Sequence, residues 1–271
     1  MDARYGRAPL CELSRHPLIQ TCVLSPAIRS PSAEKPESHG IVHGSLLPAP
    51  IVARVPASEK LVLNFVLSYL EANELPAQLL VNGGYVRDLL LGKTPDDLDL
   101  SLCLRECAPE VTIDSVLQGM HAFAKIRPEL DISSVNVTTI LSDISKDKNV
   151  DTAKAHMLVG SLAERVEVDF MPTIGEEHYD ENDRVPLRDV RGSPEQDALR
   201  RDLTIGAMLL LISRPATPPS HSCGEGAGGP LASAEGLEWQ LLDFYGGLED
   251  LRCKVLRSPY PGSRPLREVS E

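Results

Sequence analysis

Two aspartates at alternate positions, Asp97 and Asp99, have the residue type and spacing of a divalent-metal site. Leu98, Leu100 and Leu102 alternate with polar residues, which is typical of a β-strand with one apolar and one polar face. Both carboxylates are therefore expected to project from the same side of a rigid strand. Carboxylates held in this way bind Mg²⁺ ions, which activate a hydroxyl and stabilise a departing pyrophosphate in phosphoryl or nucleotidyl transfer.

An Asp-x-Asp pair also occurs at solvated strand edges and turns, so its surroundings must decide between the two interpretations. Gly83 and Gly84 form a predicted tight turn upstream, between a buried strand at 78–82 and a short helix at 85–91. Glycines there allow backbone N–H groups to approach a polyphosphate, which the N-terminus of a helix also favours. Arg87 can fork onto a phosphate oxygen. The sequence therefore predicts a phosphate-binding turn beside the metal site.

Three blocks of sequence resemble, in order, the motifs of the class II tRNA nucleotidyltransferase and poly(A) polymerase family. The blocks are GGYVRDLLLG at 83–92 followed by DLDL at 97–100, DALRRDLTI at 197–205, and DFYGGLEDL at 243–251. The resemblance implies an α/β (α+β) fold, a polymerase-β-like nucleotidyltransferase head. Its sheet is expected to be mixed, with about five strands backed by helices.

The resemblance also implies roles for single residues. Asp97 and Asp99 would hold two Mg²⁺ ions, and Asp169 would be the third acidic group of the catalytic site. Glu167 lies on the same predicted strand face as Asp169, so either carboxylate could instead face solvent. The implied nucleotide-binding residues are Gly83, Gly84, Arg87, Arg201 and Asp202.

The function implied by the resemblance is template-independent addition of CMP and AMP to the 3′ end of tRNA. The RNA 3′-hydroxyl would attack the α-phosphate of CTP or ATP, so the expected partners are tRNA and nucleoside triphosphates. CCA addition is favoured over the poly(A) polymerase alternative because the stretch 169–186 is similar to eukaryotic-type CCA enzymes.

A truncated, non-catalytic nucleotide-binding remnant of the family is the second interpretation. The family's fourth block selects the base, and Arg264 stands here where that block has an aspartate, although Arg267 is kept. An acidic Ca²⁺-binding module has little support, because no loop has EF-hand spacing.

Composition limits the other classes of function. The net charge of −12 argues against an autonomous nucleic-acid binder, whereas 42% hydrophobic residues permit a core. No apolar run reaches about 18 residues, so no membrane contact is expected. The 6 cysteines lack CxxC pairs, which favours an intracellular, cytoplasmic protein. Arginines near the N-terminus leave a mitochondrion or another organelle as the alternative.

The domain prediction has three parts. Residues 1–55 are expected to be a disordered leader, 56–262 the nucleotidyltransferase head with a flexible insertion near 216–236, and 263–271 a truncated tail. The acidic segment 176–184 is expected to be a solvated loop.

Local patterns also predict individual elements of the head. Helices are predicted from Ser58 to about residue 70, over 109–126 and over 193–213, the last with a capping box at Ser193. Further strands are predicted at 153–159, 165–171 and 239–244.

Overall fold

A mixed seven-stranded β-sheet forms the centre of the protein. The structure, a computed structural model, describes residues 41–140, 152–175, 177–178, 187–188, 191–215, 234 and 236–260. In chain order, the strands are β1 (Gln78–Asn82), β2 (Leu98–Cys103), β3 (Ile132–Ile140), β4 (Thr152–Val159), β5 (Glu164–Pro172), β6 (Glu177–His178), β7 (Leu187–Arg188), β8 (Leu209–Ser213) and β9 (Glu238–Leu242). β6 and β7 form a separate two-stranded ribbon.

The strand order in the large sheet is β3-β4-β5-β2-β1-β8-β9. β2 and β5 pair in parallel at the centre, and the other neighbouring strands pair antiparallel. Because β2 and β5 run in the same direction, residues with equivalent positions in the two strands lie side by side on the same face. The predicted fold class is confirmed.

One face of the sheet is buried beneath helices. The helices are α1 (Ala49–Val52), α2 (Ala57–Ala72), α3 (Gly83–Leu90), α4 (Ile113–Ile126), α5 (Pro194–Leu199) and α6 (Gly247–Cys253). α2 and α4 lie over β3, β4 and β5, where Phe65 and Phe123 pack with ring centroids 5.6 Å apart. Full burial of such a side chain contributes about 1.5–3 kcal/mol. Leu100 of β2 and Phe170 of β5 are buried in this core on the helix-covered face of the sheet.

The opposite face is only partly covered. Beside α5 a small apolar cluster contains Leu80, Cys103, Ala198, Ala207 and Leu209. Over β2, β5 and β4 the same face presents polar side chains to a cleft. Among the helices of the described ranges, none is both long enough and apolar enough to span a bilayer.

The predicted helix at 193–213 is wrong beyond its first turns. Its capping box is present, with Ser193 N–H donating to Gln196 at 2.8 Å, but the helix ends at Leu199. A 3₁₀ turn at Thr204–Gly206 and strand β8 follow. The apolar run in β8 fits a helix or a doubly buried strand equally well, and pairing with β1 and β9 selects the strand.

Other boundaries also differ from the prediction. The sheet has two strands that were not predicted, β3 and β8. Gly83 and Gly84 are the first residues of α3 rather than a separate turn, and α2 begins at Ala57, one residue before Ser58. Part of the predicted leader, 41–55, joins the core through the buried side chains of Ile41, Leu47, Ile51 and Val55.

Several predicted segments lie outside the described residues. They are residues 1–40 of the leader, most of the acidic segment 176–184, most of the insertion near 216–236, and the tail with Arg264 and Arg267.

Candidate active site

Asp99 and Asp169 lie directly opposite each other on the parallel strands β2 and β5. Both face the open side of the sheet, because the next residues along the strands, Leu100 and Phe170, are buried on the other side. Neighbouring strands are about 4.8 Å apart, so the two carboxylates share one small area. Asp97 lies just before the first residue of β2 and lines the same cleft.

The cleft has a volume of about 420 Å³, within the range of about 300–1,000 Å³ that holds small-molecule ligands. Its lining is mostly polar. Glu59, from the first turn of α2, forms part of the wall and accepts a hydrogen bond from the Tyr85 hydroxyl at 2.5 Å. This hydrogen bond connects the wall of the cleft to α3, the helix that begins with Gly83 and Gly84.

The environment of the cleft affects the pKa of Asp99. Its pKa is raised above its ordinary value, first because burial removes water and then because Asp169 and Asp97 are nearby negative charges. Arg201 and Lys154 act in the opposite direction. The raised pKa of Asp99 therefore reflects burial first and the neighbouring negative charges second, and a bound cation would relieve the repulsion between those charges.

The donor atoms in the cleft fit Mg²⁺, which prefers carboxylate oxygens. In the part of the chain that the structure describes, however, no three His, Cys, Asp or Glu side chains are already gathered as a metal cluster. Asp97, Asp99 and Asp169 thus have suitable ligand atoms, but their carboxylates would have to move closer together to bind one ion.

Lys154 brings a positive charge into this acidic cleft. Its ammonium forms an ion pair with Glu167 and lies 3.5 Å from Oδ1 of Asp169. No local sequence pattern marks Lys154 as a residue of the cleft. Its position became clear only when β4 paired with β5, which sets Lys154 opposite Asp169.

The two glycines at the start of α3 have different environments. Gly83 is buried, has a φ of +30°, and would place a Cβ atom 2.7 Å from the carbonyl oxygen of Gly206. Its N–H donates to the carbonyl of Met208 at 3.1 Å. Gly84 is exposed, and a Cβ there would meet only the Arg87 guanidinium, at 3.9 Å. Gly83 therefore has a structural reason to be glycine, whereas Gly84 is open to a ligand.

Arg87 is paired with its neighbour in the chain. Its Nε and Nη2 donate to the two carboxylate oxygens of Asp88 at 2.9 and 2.8 Å. This fork raises the pKa of Arg87 and lowers that of Asp88. A phosphate at this position would have to compete with Asp88 for the guanidinium.

Arg201 follows α5 instead of lying on it, and it is held by a residue that the sequence analysis did not assign to the site. Arg201 Nη2 donates to Asp197 Oδ2 at 2.8 Å, and the buried Asp197 also accepts the N–H of Ile174 at 3.1 Å. The Nε of Arg201 is buried without a hydrogen-bond acceptor among the described residues. Asp202 is exposed, and its nucleotide-binding role stays a prediction.

The residues of the three sequence blocks meet at the turn Thr204–Gly206. Gly83 packs against Gly206, and the Thr204 hydroxyl donates to the buried carboxylate of Asp250 at 2.6 Å. The N–H of Thr204 donates to the Arg257 carbonyl at 2.8 Å. The turn that follows Arg201 is therefore fixed from two sides, which helps to position the guanidinium.

Comparisons with known proteins identify the family of this chain. A model of the poly(A) polymerase head domain matches residues 79–218. The mitochondrial CCA tRNA nucleotidyltransferase of Saccharomyces cerevisiae is 31% identical over 199 residues, 71% of this chain and 30% of the relative. That of Candida glabrata is 28% identical over 198 residues, with the same coverage of 71% and 30%.

A solved structure of a CCA-adding enzyme, apo form II, has a similar fold. It superimposes with a TM-score of 0.51 at 19% identity and covers 81% of this chain and 39% of that structure. The chain therefore spans well under half the length of the proteins that it matches. The matched range 79–218 contains all the predicted site residues of the first two blocks together with Asp169.

Proposed function

The chain belongs to the family of the poly(A) polymerase head domain, and on this premise we propose that it is a template-independent RNA nucleotidyltransferase. Its proposed reaction is the addition of CMP and AMP to the 3′ end of tRNA. The observation that carries this proposal is the placement of Asp99 opposite Asp169, with Asp97 in the same cleft. Metal-assisted nucleotidyl transfer requires carboxylate oxygen donors within one cleft, and these residues can supply them.

Both of the relatives named above are CCA tRNA nucleotidyltransferases, which supports CCA addition over poly(A) synthesis. Both are also mitochondrial, so we propose a mitochondrial location for this chain. A fluorescent fusion of the full chain tests the location, and a fusion that stays outside mitochondria would refute it.

Substrate binding is assigned to residues of α3 and to Arg201, which are not among the side chains that line the cleft. The exposed start of α3 at Gly84 offers backbone N–H groups to the triphosphate, and Arg87 exchanges Asp88 for a phosphate. Arg201, anchored by Asp197, supplies a further positive charge.

The chemical step joins the RNA 3′-oxygen to the α-phosphorus and breaks the bond from that phosphorus to the pyrophosphate oxygen. Asp97 and Asp99 would hold two Mg²⁺ ions, which when bound offset the negative charge of the phosphates and the departing pyrophosphate. Asp169 would be the third carboxylate that holds the ions, and the proton of the attacking hydroxyl is released to water. No covalent intermediate with the protein is needed.

The proposal is tested by incubating the full chain with CTP, ATP, Mg²⁺ and tRNA that lacks its CCA end, and then sequencing the RNA 3′ ends. The expected product ends in CCA. Asp97→Ala is expected to abolish addition, whereas the control Glu110→Gln, an exposed carboxylate outside the cleft, is expected to leave it unchanged.

Other outcomes separate the alternatives. Runs of A without C would identify a poly(A) polymerase. Nucleotide binding without any extension would identify a non-catalytic member of the family, and equal extension by wild type and Asp97→Ala would overturn the assigned site.

A further inference from the structure

Lys154, Asp169 and Asp99 form one row across three neighbouring strands. Lys154 pairs with Asp169 in the register of β4 and β5, and Asp169 pairs with Asp99 in the register of β5 and β2. All three side chains line the same cleft. A positive charge therefore lies at the end of the row of carboxylates where the metal is proposed to bind.

The ammonium of Lys154 has two acidic partners with different surroundings. On one side it is paired with Glu167, whose carboxylate also lies 3.5 Å from Nδ1 of His156. On the other side it lies 3.5 Å from Asp169. Because Glu167 is already the closer partner of the ammonium, the ammonium can move away from Asp169 without losing that ion pair.

We propose that Lys154 is a positioning residue that competes with the divalent cation for Asp169. While the ammonium lies against Asp169, this carboxylate is partly neutralised and attracts a metal ion less strongly. When a metal ion binds, the ammonium moves away from Asp169 and keeps Glu167 as its partner. Lys154 thereby keeps the affinity of the site for metal lower than three carboxylates alone would give.

This inference rests on the proposed function, because it takes the aspartate cleft to be a metal site. Its test does not depend on catalysis. Mn²⁺ is titrated into the full chain without nucleotide or RNA, and free Mn²⁺ is measured by electron paramagnetic resonance. If the protein binds Mn²⁺ as expected but extends no tRNA, the role of Lys154 is supported and the proposed function is refuted.

Lys154→Met is expected to lower the Kd for Mn²⁺ about two- to fivefold, a modest change because exposed ion pairs are weak. Lys154→Arg keeps the charge and is expected to keep a Kd close to that of the wild type. Lys125→Met removes an exposed lysine outside the cleft and is the matched control. Thermal unfolding verifies that each variant is folded. If Lys154→Met is not folded, Lys154→Gln is used in its place.

Asp169→Asn shows whether the effect passes through this carboxylate. In that background, Lys154→Met is expected to change the Kd much less than it does in the wild type, which is the sign of coupling between the two residues. An unchanged or higher Kd for Lys154→Met overturns the proposal. The proposal is also overturned if Lys154→Met changes the Kd for Mn²⁺ equally in the wild type and in Asp169→Asn, because the substitution would then act only through the net charge.

Discussion

Replacing each glycine at the start of α3 separates a structural role from a ligand-binding role. In Gly83→Ala, the φ of +30° is unfavourable for alanine by about 1–2 kcal/mol. The new Cβ would also lie 2.7 Å from the Gly206 oxygen, and relieving such a contact costs about 1–3 kcal/mol. We expect a total loss of about 2–5 kcal/mol, or roughly 5–15 °C in Tm for a domain of this size.

Gly84→Ala is the matched variant, with a Cβ that meets only Arg87 at 3.9 Å. Alanine is the better helix former by up to about 1 kcal/mol, so Tm is expected to stay the same or rise slightly. Binding of nucleotide is expected to weaken, because the added methyl group lies on the exposed surface assigned to the triphosphate.

Thermal unfolding and titration with a fluorescent ATP analogue measure the two effects on the same samples. A wild-type Tm for Gly83→Ala would refute the argument from backbone strain. Equal losses of Tm in both variants, with normal nucleotide binding by Gly84→Ala, would refute the division of roles.

Three further changes test the packing and charge around the site. Asp197→Asn weakens a buried ion pair with Arg201, and we expect a loss of about 2–4 kcal/mol in urea unfolding and a raised KM for nucleotide. Thr204→Val leaves the buried carboxylate of Asp250 without this donor, so a loss of about 1–3 kcal/mol is expected in the same assay. The pKa of Asp99 is raised in the folded protein, so ionisation of its carboxyl group lowers the free energy of unfolding. This destabilisation is fully present above the folded pKa. It disappears as pH falls below the ordinary pKa of an aspartate. Asp99→Asn is therefore expected to raise Tm at neutral pH but not at low pH, and a lower Tm at neutral pH would contradict this sign.

The sequence was sufficient where a local pattern determines the structure. The alternation of leucines with Asp97 and Asp99 predicted a strand with both carboxylates on one side, and the structure places both in one cleft. The capping box at Ser193 likewise predicted where α5 begins. These features depend on residues that are close together in the chain.

The remaining features depend on contacts between distant residues. The sequence predicts a helix over the residues of β8, and only the insertion of β8 between β1 and β9 excludes that helix. β3 was missed, and its alternation is interrupted where the register shifts between Ile132 and Ser134. Lys154 and Asp197 became site residues only through partners that the fold brings to them. No local pattern specifies such pairs.

We propose that the carboxylates of Asp99 and Asp169 act together, by holding metal ions, in transfer at the α-phosphate of a nucleotide. Single-turnover transfer of labelled CMP or AMP to tRNA lacking its CCA end, at saturating nucleotide, measures this most directly. We expect Asp99→Asn and Asp169→Asn each to slow transfer by roughly 10²–10³-fold, with nucleotide Kd little changed. Transfer by both variants within about threefold of the wild-type rate would contradict the claim.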